Sequence, residues 1–125
     1  MIFDTDVLVW ASRGNLRAAR TIDAATDRAL SIVSLMELLQ GARSKLEVRR
    51  IRQSLRQLQF RILPLSEPIG ATAAAIIEQH ALAHGMQLAD ALIAATAIET
   101  DRPLCTANVK HFRPIGSLSR VSFRP

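Results

Sequence analysis

The chain has 125 residues, 49% of them hydrophobic, with a single cysteine and a formal net charge of +5. That length and apolar content predict one packed domain over residues 1–125 and exclude wholesale disorder. No apolar run approaches the ~18 residues of a membrane span, a lone cysteine excludes an internal disulfide, and Asp4 and Asp6 interrupt the N-terminus before a leader's apolar region can form, so the expected compartment is the cytoplasm.

In chain order, residues 1–3 predict a short buried strand that ends at Asp4. Residues 15–25 carry a helical pattern, and the apolar run 29–33 predicts a second strand. "SLMELLQGAR" follows as a helix, with Ser34 as its N-cap and Gly41 near its end. A further helix is expected over 45–58. "FRILPL" predicts a third strand, stopped by Pro64. An alanine-rich helix spans 67–84, closed by Gly85. "ADALIAATAIET" is apolar almost all round, which predicts a central buried helix. "PLCTA" is a fourth strand, and a last one is expected near 121–123. Short apolar strands alternating with helices predict an α/β protein, a three-layer α/β/α sandwich on a parallel sheet of four or five strands.

In such sheets ligands bind beyond the carboxyl ends of the strands, where strand order reverses. Asp4 and Asp6 follow the first strand, Ser34 and Glu37 the second, and Thr106 and Asn108 the fourth. Asp90 lies at the start of the buried helix. A cluster of carboxylates that cannot neutralise one another calls for a cation, and oxygen donors suit Mg²⁺ or Mn²⁺. Each residue also has a purely local reading. Asp4 fits an Asx turn, Asp6 a solvated charge, Ser34 and Glu37 an S-x-x-E capping box, and Asp90 a cap or a complement to the helix dipole.

Arginine supplies 14 of the 16 basic residues. Its planar guanidinium grips phosphate and carboxylate at two points, so the charge suits RNA, DNA or an acidic protein as well as a plain solvated surface. Lys45, Arg49, Arg52 and Arg56 recur at i, i+4, i+7 and i+11, which lines them along one helix as either a docking stripe or a solvated face. Trp10 and Met36 read as packing or partner surface, and Cys105 as a small core residue.

"DTDVLVW", "SLMELLQGA", "ADALIAATA" and "TANVKHF" resemble, in order, the four motif blocks of PIN-domain ribonucleases, and among these the VapC toxins of bacterial toxin–antitoxin pairs. The resemblance runs from residue 2 to residue 112. It implies a metal-dependent endoribonuclease with Asp4, Glu37 and Asp90 as catalytic and metal-holding acids. Asn108 stands in the block that often supplies a fourth acid, but "TANVKHF" holds no Asp or Glu, which leaves a second metal to Asp6 or to the RNA phosphate. Thr5, Asp6, Ser34 and Thr106 are expected to orient the cluster or contact substrate. One Mg²⁺ or Mn²⁺ held by Asp4 and Asp90 would lower the pKa of a bound water. Glu37 would position that water for attack, leaving a 5′ phosphate. The resemblance further implies an RNA substrate, a VapB-like antitoxin that fills the acidic pocket with an arginine, and a homodimer using the exposed apolar residues of the first helices, such as Trp10 and Leu16. Two alternatives are a phosphohydrolase of the haloacid-dehalogenase type, matched by "DTDV" but lacking the downstream lysine and late acidic pair, and a non-catalytic RNA- or protein-binding module.

Overall fold

The computed structural model describes all 125 residues, Met1–Pro125. In chain order the elements are β1 (Ile2–Phe3), α1 (Thr5–Ser12), α2 (Leu16–Ala24), β2 (Ala29–Ser31), α3 (Ile32–Gln40), α4 (Lys45–Gln57), β3 (Arg61–Leu63), α5 (Glu67–His84), α6 (Leu88–Glu99), β4 (Leu104–Thr106), α7 (Val109–Phe112) and β5 (Arg120–Ser122). The five strands form one sheet in the order β3-β2-β1-β4-β5, with every pair parallel. The chain steps outward from β1 through β2 to β3, returns, and builds the other half with β4 and β5. Strand order therefore reverses between β1 and β4, which opens a crevice at their carboxyl ends.

The two-residue alternation of strands sorts the core into two layers. Ile2, Ala29 and Leu104 face one side, where Ala73 and Ile76 of α5 and Ile93, Ala94 and Ala97 of α6 cover them. Phe3, Leu30 and Cys105 face the other, under Val7 and Leu8 of α1, Ala18 and Ile22 of α2, and Leu55 of α4. The result is the expected three-layer α/β/α sandwich. Helix α6 buries Ala91, Ile93, Ala94, Ala95, Thr96 and Ala97, and the Thr96 hydroxyl satisfies itself on the Leu92 carbonyl at 2.8 Å. No helix is long and apolar enough to cross a membrane.

Helix starts are set by local chemistry. Asn15, Ser44 and Ser66 accept from the backbone N–H groups of Ala18, Glu47 and Ile69, the usual N-cap arrangement. Gly85 ends α5 with φ of 62°, a left-handed conformation that costs glycine little.

Three expectations need correction. Ser34 is not an N-cap. The strand stops at Ser31, whose hydroxyl accepts from Val33 N–H at 3.1 Å, and α3 starts three residues early. The β-branched pair Ile32–Val33 reads as strand, but packing overrides that preference: Val33 enters one core layer as part of a helix. Glu37 then lies in the second turn of α3, and the S-x-x-E capping pair belongs to Ser44 and Glu47 instead. The element bounds gain two helices, α1 directly behind Asp4 and the single turn of α7 behind Asn108.

The amino ends of the strands carry an ionic cluster of their own. Asp27, just ahead of β2, takes the Met1 ammonium at 3.4 Å and the Arg102 guanidinium at 2.7 Å. Nearby, Arg28 donates to the carbonyls of Ile22, Ala25 and Leu58, tying the end of α2 to the end of α4.

Candidate active site

At the opposite end of the sheet, the turn from β1 into α1 fixes the first two acids. Asp4 is the N-cap of α1, and its Oδ1 accepts from Thr5 N–H at 2.8 Å. Its other oxygen, Oδ2, accepts from the Thr106 hydroxyl at 2.8 Å, and that hydroxyl in turn accepts from Asn108 N–H at 2.9 Å. Strand β4 thus reaches across the switch point to hold the carboxylate that follows β1. Asp4 is only 5% exposed. Asp6 sits in the first turn of α1, where the helix dipole favours negative charge. Its Oδ2 accepts from Ala107 N–H at 3.1 Å, while Oδ1 is buried with no partner.

Glu37 approaches from α3, with Oε1 accepting from the Thr5 hydroxyl at 2.7 Å. Asp90 approaches from the first turn of α6, and its Oδ2 lies 3.5 Å from His111 Nδ1 on α7. Asp4, Asp6, Glu37, Asp90 and Asn108 all line one cleft of about 370 Å³, together with Thr5, Val9, Trp10 and Arg13. Thr106 lies wholly buried behind it, under Asp4. Ser34 does not line the cleft; it is fully buried within α3 and its hydroxyl has no partner. The cleft opens into a longer groove of about 870 Å³ between α1 and α4, which Arg43 and Arg50 border. The stripe of Lys45, Arg49, Arg52 and Arg56 borders neither space.

The electrostatics follow from burial. Asp4 is pushed up to about 7, first by desolvation and then by neighbouring Asp6, against the lowering effect of its bonds to Thr106 and Thr5. Burial likewise raises Asp6, with Ala107 N–H opposing it. Burial raises Asp90, offset by His111 and reinforced by Glu37. Behind the sheet, Cys105 is driven up to about 11 by burial and by both aspartates, so it stays a protonated core thiol.

These residues fit a hard divalent cation. The donors are carboxylate oxygens, one of them orphaned and buried, and their mutual repulsion is what a cation would relieve. No three acidic, imidazole or thiol groups close into a tight coordination set. That openness suits Mg²⁺, which keeps several waters and takes one or two carboxylates plus substrate phosphate.

Sequence reasoning missed three residues here. His111 needed the turn of α7 to bring it to Asp90. Trp10 and Arg13 lie four and seven residues past Asp6, a helical spacing that becomes visible once residues 5–12 are read as a helix. Trp10 lines the cleft, while Leu16 and Met36, 68% and 55% exposed, are among the large apolar side chains left on the outer surface.

A site of clustered acids at the switch point of a five-stranded parallel sheet defines the class. The PIN domain family model matches residues 1–116, and the chain belongs to the PIN-domain family. It is 36% identical over 118 residues to Ribonuclease VapC10 of Mycobacterium tuberculosis, covering 90% of this chain and 85% of that relative. Among solved structures it is similar to a toxin–antitoxin complex from Klebsiella pneumoniae, with 29% identity and a TM-score of 0.81 over 97% of this chain and 95% of that one. It is also similar to FitAcB from Neisseria gonorrhoeae, with 27% identity and a TM-score of 0.75 over 97% and 96% of the two chains. Family membership sets aside the haloacid-dehalogenase alternative.

Proposed function

We propose that this chain is a Mg²⁺- or Mn²⁺-dependent endoribonuclease that acts in the cytoplasm as the toxin of a toxin–antitoxin pair. The observation that carries the reading is the single cleft in which Asp4, Asp6, Glu37 and Asp90 meet, with one buried oxygen of Asp6 unpartnered. The similarity to Ribonuclease VapC10 and to the Klebsiella complex supports the substrate class and the partner.

Asp4, Asp6 and Asp90 are the residues that would hold the cation. When bound, it supplies positive charge against the phosphate and lowers the pKa of water. Thr5 N–H and the Thr106 hydroxyl keep the Asp4 carboxylate in one orientation. Thr106 is therefore a positioning residue rather than a substrate contact. The Thr5 hydroxyl engages Glu37 Oε1, and Oε2, which accepts no bond within the protein, is free to orient the attacking water and take its proton. In-line attack forms a bond from the water oxygen to phosphorus and breaks the bond to the 3′ oxygen, which leaves as an alkoxide and takes a proton from solvent, and the other product keeps a 5′ phosphate. Asp6 supplies the charge that Asn108 does not.

The partner is a VapB-like antitoxin, and a guanidinium entering the cleft is its simplest means of inhibition. Self-association as a homodimer would use Leu16 and Met36. The deciding experiment measures cleavage of single-stranded RNA with and without Mg²⁺, beside turnover of an aryl phosphate. Metal-dependent RNA fragments with 5′ phosphates are expected. Aryl phosphate turnover without RNA cleavage would refute the reading, and binding without cleavage would leave only a non-catalytic module.

A further inference from the structure

We propose that Trp10 and Arg13 form a subsite for the nucleotide next to the cleaved phosphate, with Trp10 stacking on its base and Arg13 binding its phosphate. The proposal rests on the ribonuclease reading and adds to it the residues that grip RNA.

Asp6 and Trp10 of α1 and Arg13, its C-cap residue, fall at i, i+4 and i+7, so they follow one helical face, and all three line the same cleft. At a rise of ~1.5 Å per residue, Arg13 stands roughly 10 Å along the helix from Asp6. Its guanidinium makes no ion pair with the acids, and no side-chain hydrogen bond engages it. It is the one cationic side chain lining the cleft. A cation at a helix C-terminus is also favoured by the dipole, which explains a charge at that position but not its facing the acids' cleft.

Trp10 is 37% exposed. The core beneath α1 is closed by Val7 and Leu8, so the indole is not needed to fill it. Instead its face borders a cleft whose other lining is polar apart from Val9. A wall that pairs an indole with a guanidinium suits single-stranded RNA, because every base offers a π face and every link a phosphate. The need is electrostatic. The acids repel the RNA backbone, and a single divalent cation offsets that repulsion only at the cleaved phosphate, so the neighbouring phosphate requires its own positive partner.

Trp10 is the only tryptophan in the chain, so intrinsic emission reports the proposed stack directly. A short mixed-sequence single-stranded RNA is titrated in Mg²⁺ into Glu37→Gln protein, in which binding is read without turnover. Quenching of Trp10 emission is expected. Adding Arg13→Ala should weaken binding several-fold and reduce the slope of log affinity against log salt by about 0.7, the value for one phosphate on a single strand. Trp10→Leu keeps apolar packing but removes the large π face. It should weaken binding roughly ten- to a hundred-fold. In the otherwise wild-type enzyme both substitutions should raise KM with kcat nearly unchanged. Arg13 is exposed, so its variants test the proposal even if Trp10→Leu folds poorly. RNA cleavage by the wild type with Trp10 emission indifferent to RNA and KM unmoved by either substitution would overturn this proposal alone. A wild type that neither binds nor cleaves RNA would remove the ribonuclease reading and the subsite together. Emission that responds to protein concentration or to another protein chain, but not to RNA, would assign this face to a protein interface and overturn the subsite.

Discussion

The two ends of the sheet treat aspartate in opposite ways. At the amino end, Asp27 sits between the Met1 ammonium and the Arg102 guanidinium, and its acidity is strengthened, mainly by the bond from Arg102. At the carboxyl end, Asp4, Asp6 and Asp90 crowd one cleft, and burial weakens the acidity of all three. The first arrangement is self-sufficient and joins the starts of β1, β2 and β4. The second leaves its carboxylates desolvated, mutually repulsive and, at Asp6, partly unbonded, a strain that the proposed cation would relieve. One end pairs its charge; the other holds its charges at a cost in stability, as the proposed chemistry requires.

The strongest test of that contrast is Asp4→Asn. Asparagine is as good an N-cap as aspartate, so α1 is retained while the charge is lost. Cleavage should fall by roughly a thousand-fold or more, the scale of losing a metal-holding or acid–base group. Stability should move the other way. In the metal-free protein burial holds the Asp4 carboxyl up at about 7, whereas the unfolded chain releases its proton near the ordinary 3.8. The folded state therefore binds more protons between those values, and wild-type stability declines as pH rises from about 4 to 7. Asp4→Asn lacks that decline, so at pH 8 the metal-free variant should melt above wild type by several degrees, with little difference at pH 4. Thermal unfolding in chelator at the two pH values checks this, and a variant less stable at pH 8 would contradict the account.

Next in size is Glu37→Gln. Glutamine still accepts the Thr5 hydroxyl bond but cannot take a proton from water. Activity should drop about a hundred- to a thousand-fold, with the melting temperature within a degree or two of wild type. Single-turnover cleavage beside a thermal melt measures both, and full activity would return Glu37 to a structural role.

A smaller effect is expected at Asn108, which lines the cleft and carries no charge. Asn108→Asp should tighten Mg²⁺ binding several-fold by adding a carboxylate to an open site. Any gain in rate should fade as Mg²⁺ saturates, because the added charge also repels RNA. Calorimetric titration of both proteins decides it; equal affinities would put residue 108 outside the metal shell.

The smallest effect belongs to the other end of the sheet. Asp27→Asn should leave cleavage unchanged and lower stability by less than ~1 kcal/mol, because Asp27 is nearly half exposed and solvent screens its charge. The folded pKa lies below the unfolded one, so the contribution is present above about pH 4 and disappears as acid protonates Asp27. Urea unfolding at pH 7 and pH 3 should give a difference at the first that shrinks at the second.

Much of this protein was legible in the chain alone, because the signals are short-ranged. Alternating apolar runs, the helix stop at Gly85 and the all-apolar "ADALIAATAIET" each depend on neighbours within a turn or a strand, and each became the element expected. Ser34 shows where local signals fail. Ser31 and Ser34 both precede helix-compatible residues, and what separated them was the core, which drew Val33 in as helix and buried Ser34 without a cap to make. The presence of Asp4, Asp90 and Asn108 near element ends, and of Glu37 behind the second strand, was also written in the sequence. Their meeting in one cleft, the bond from Thr106 to Asp4 across 102 positions, the approach of His111 to Asp90 and the turning of Trp10 and Arg13 toward the acids were decided by strand order and helix packing. A carboxylate's charge is a property of its residue, but its burial and its partners are properties of the fold, and here they separate Asp27 from Asp4.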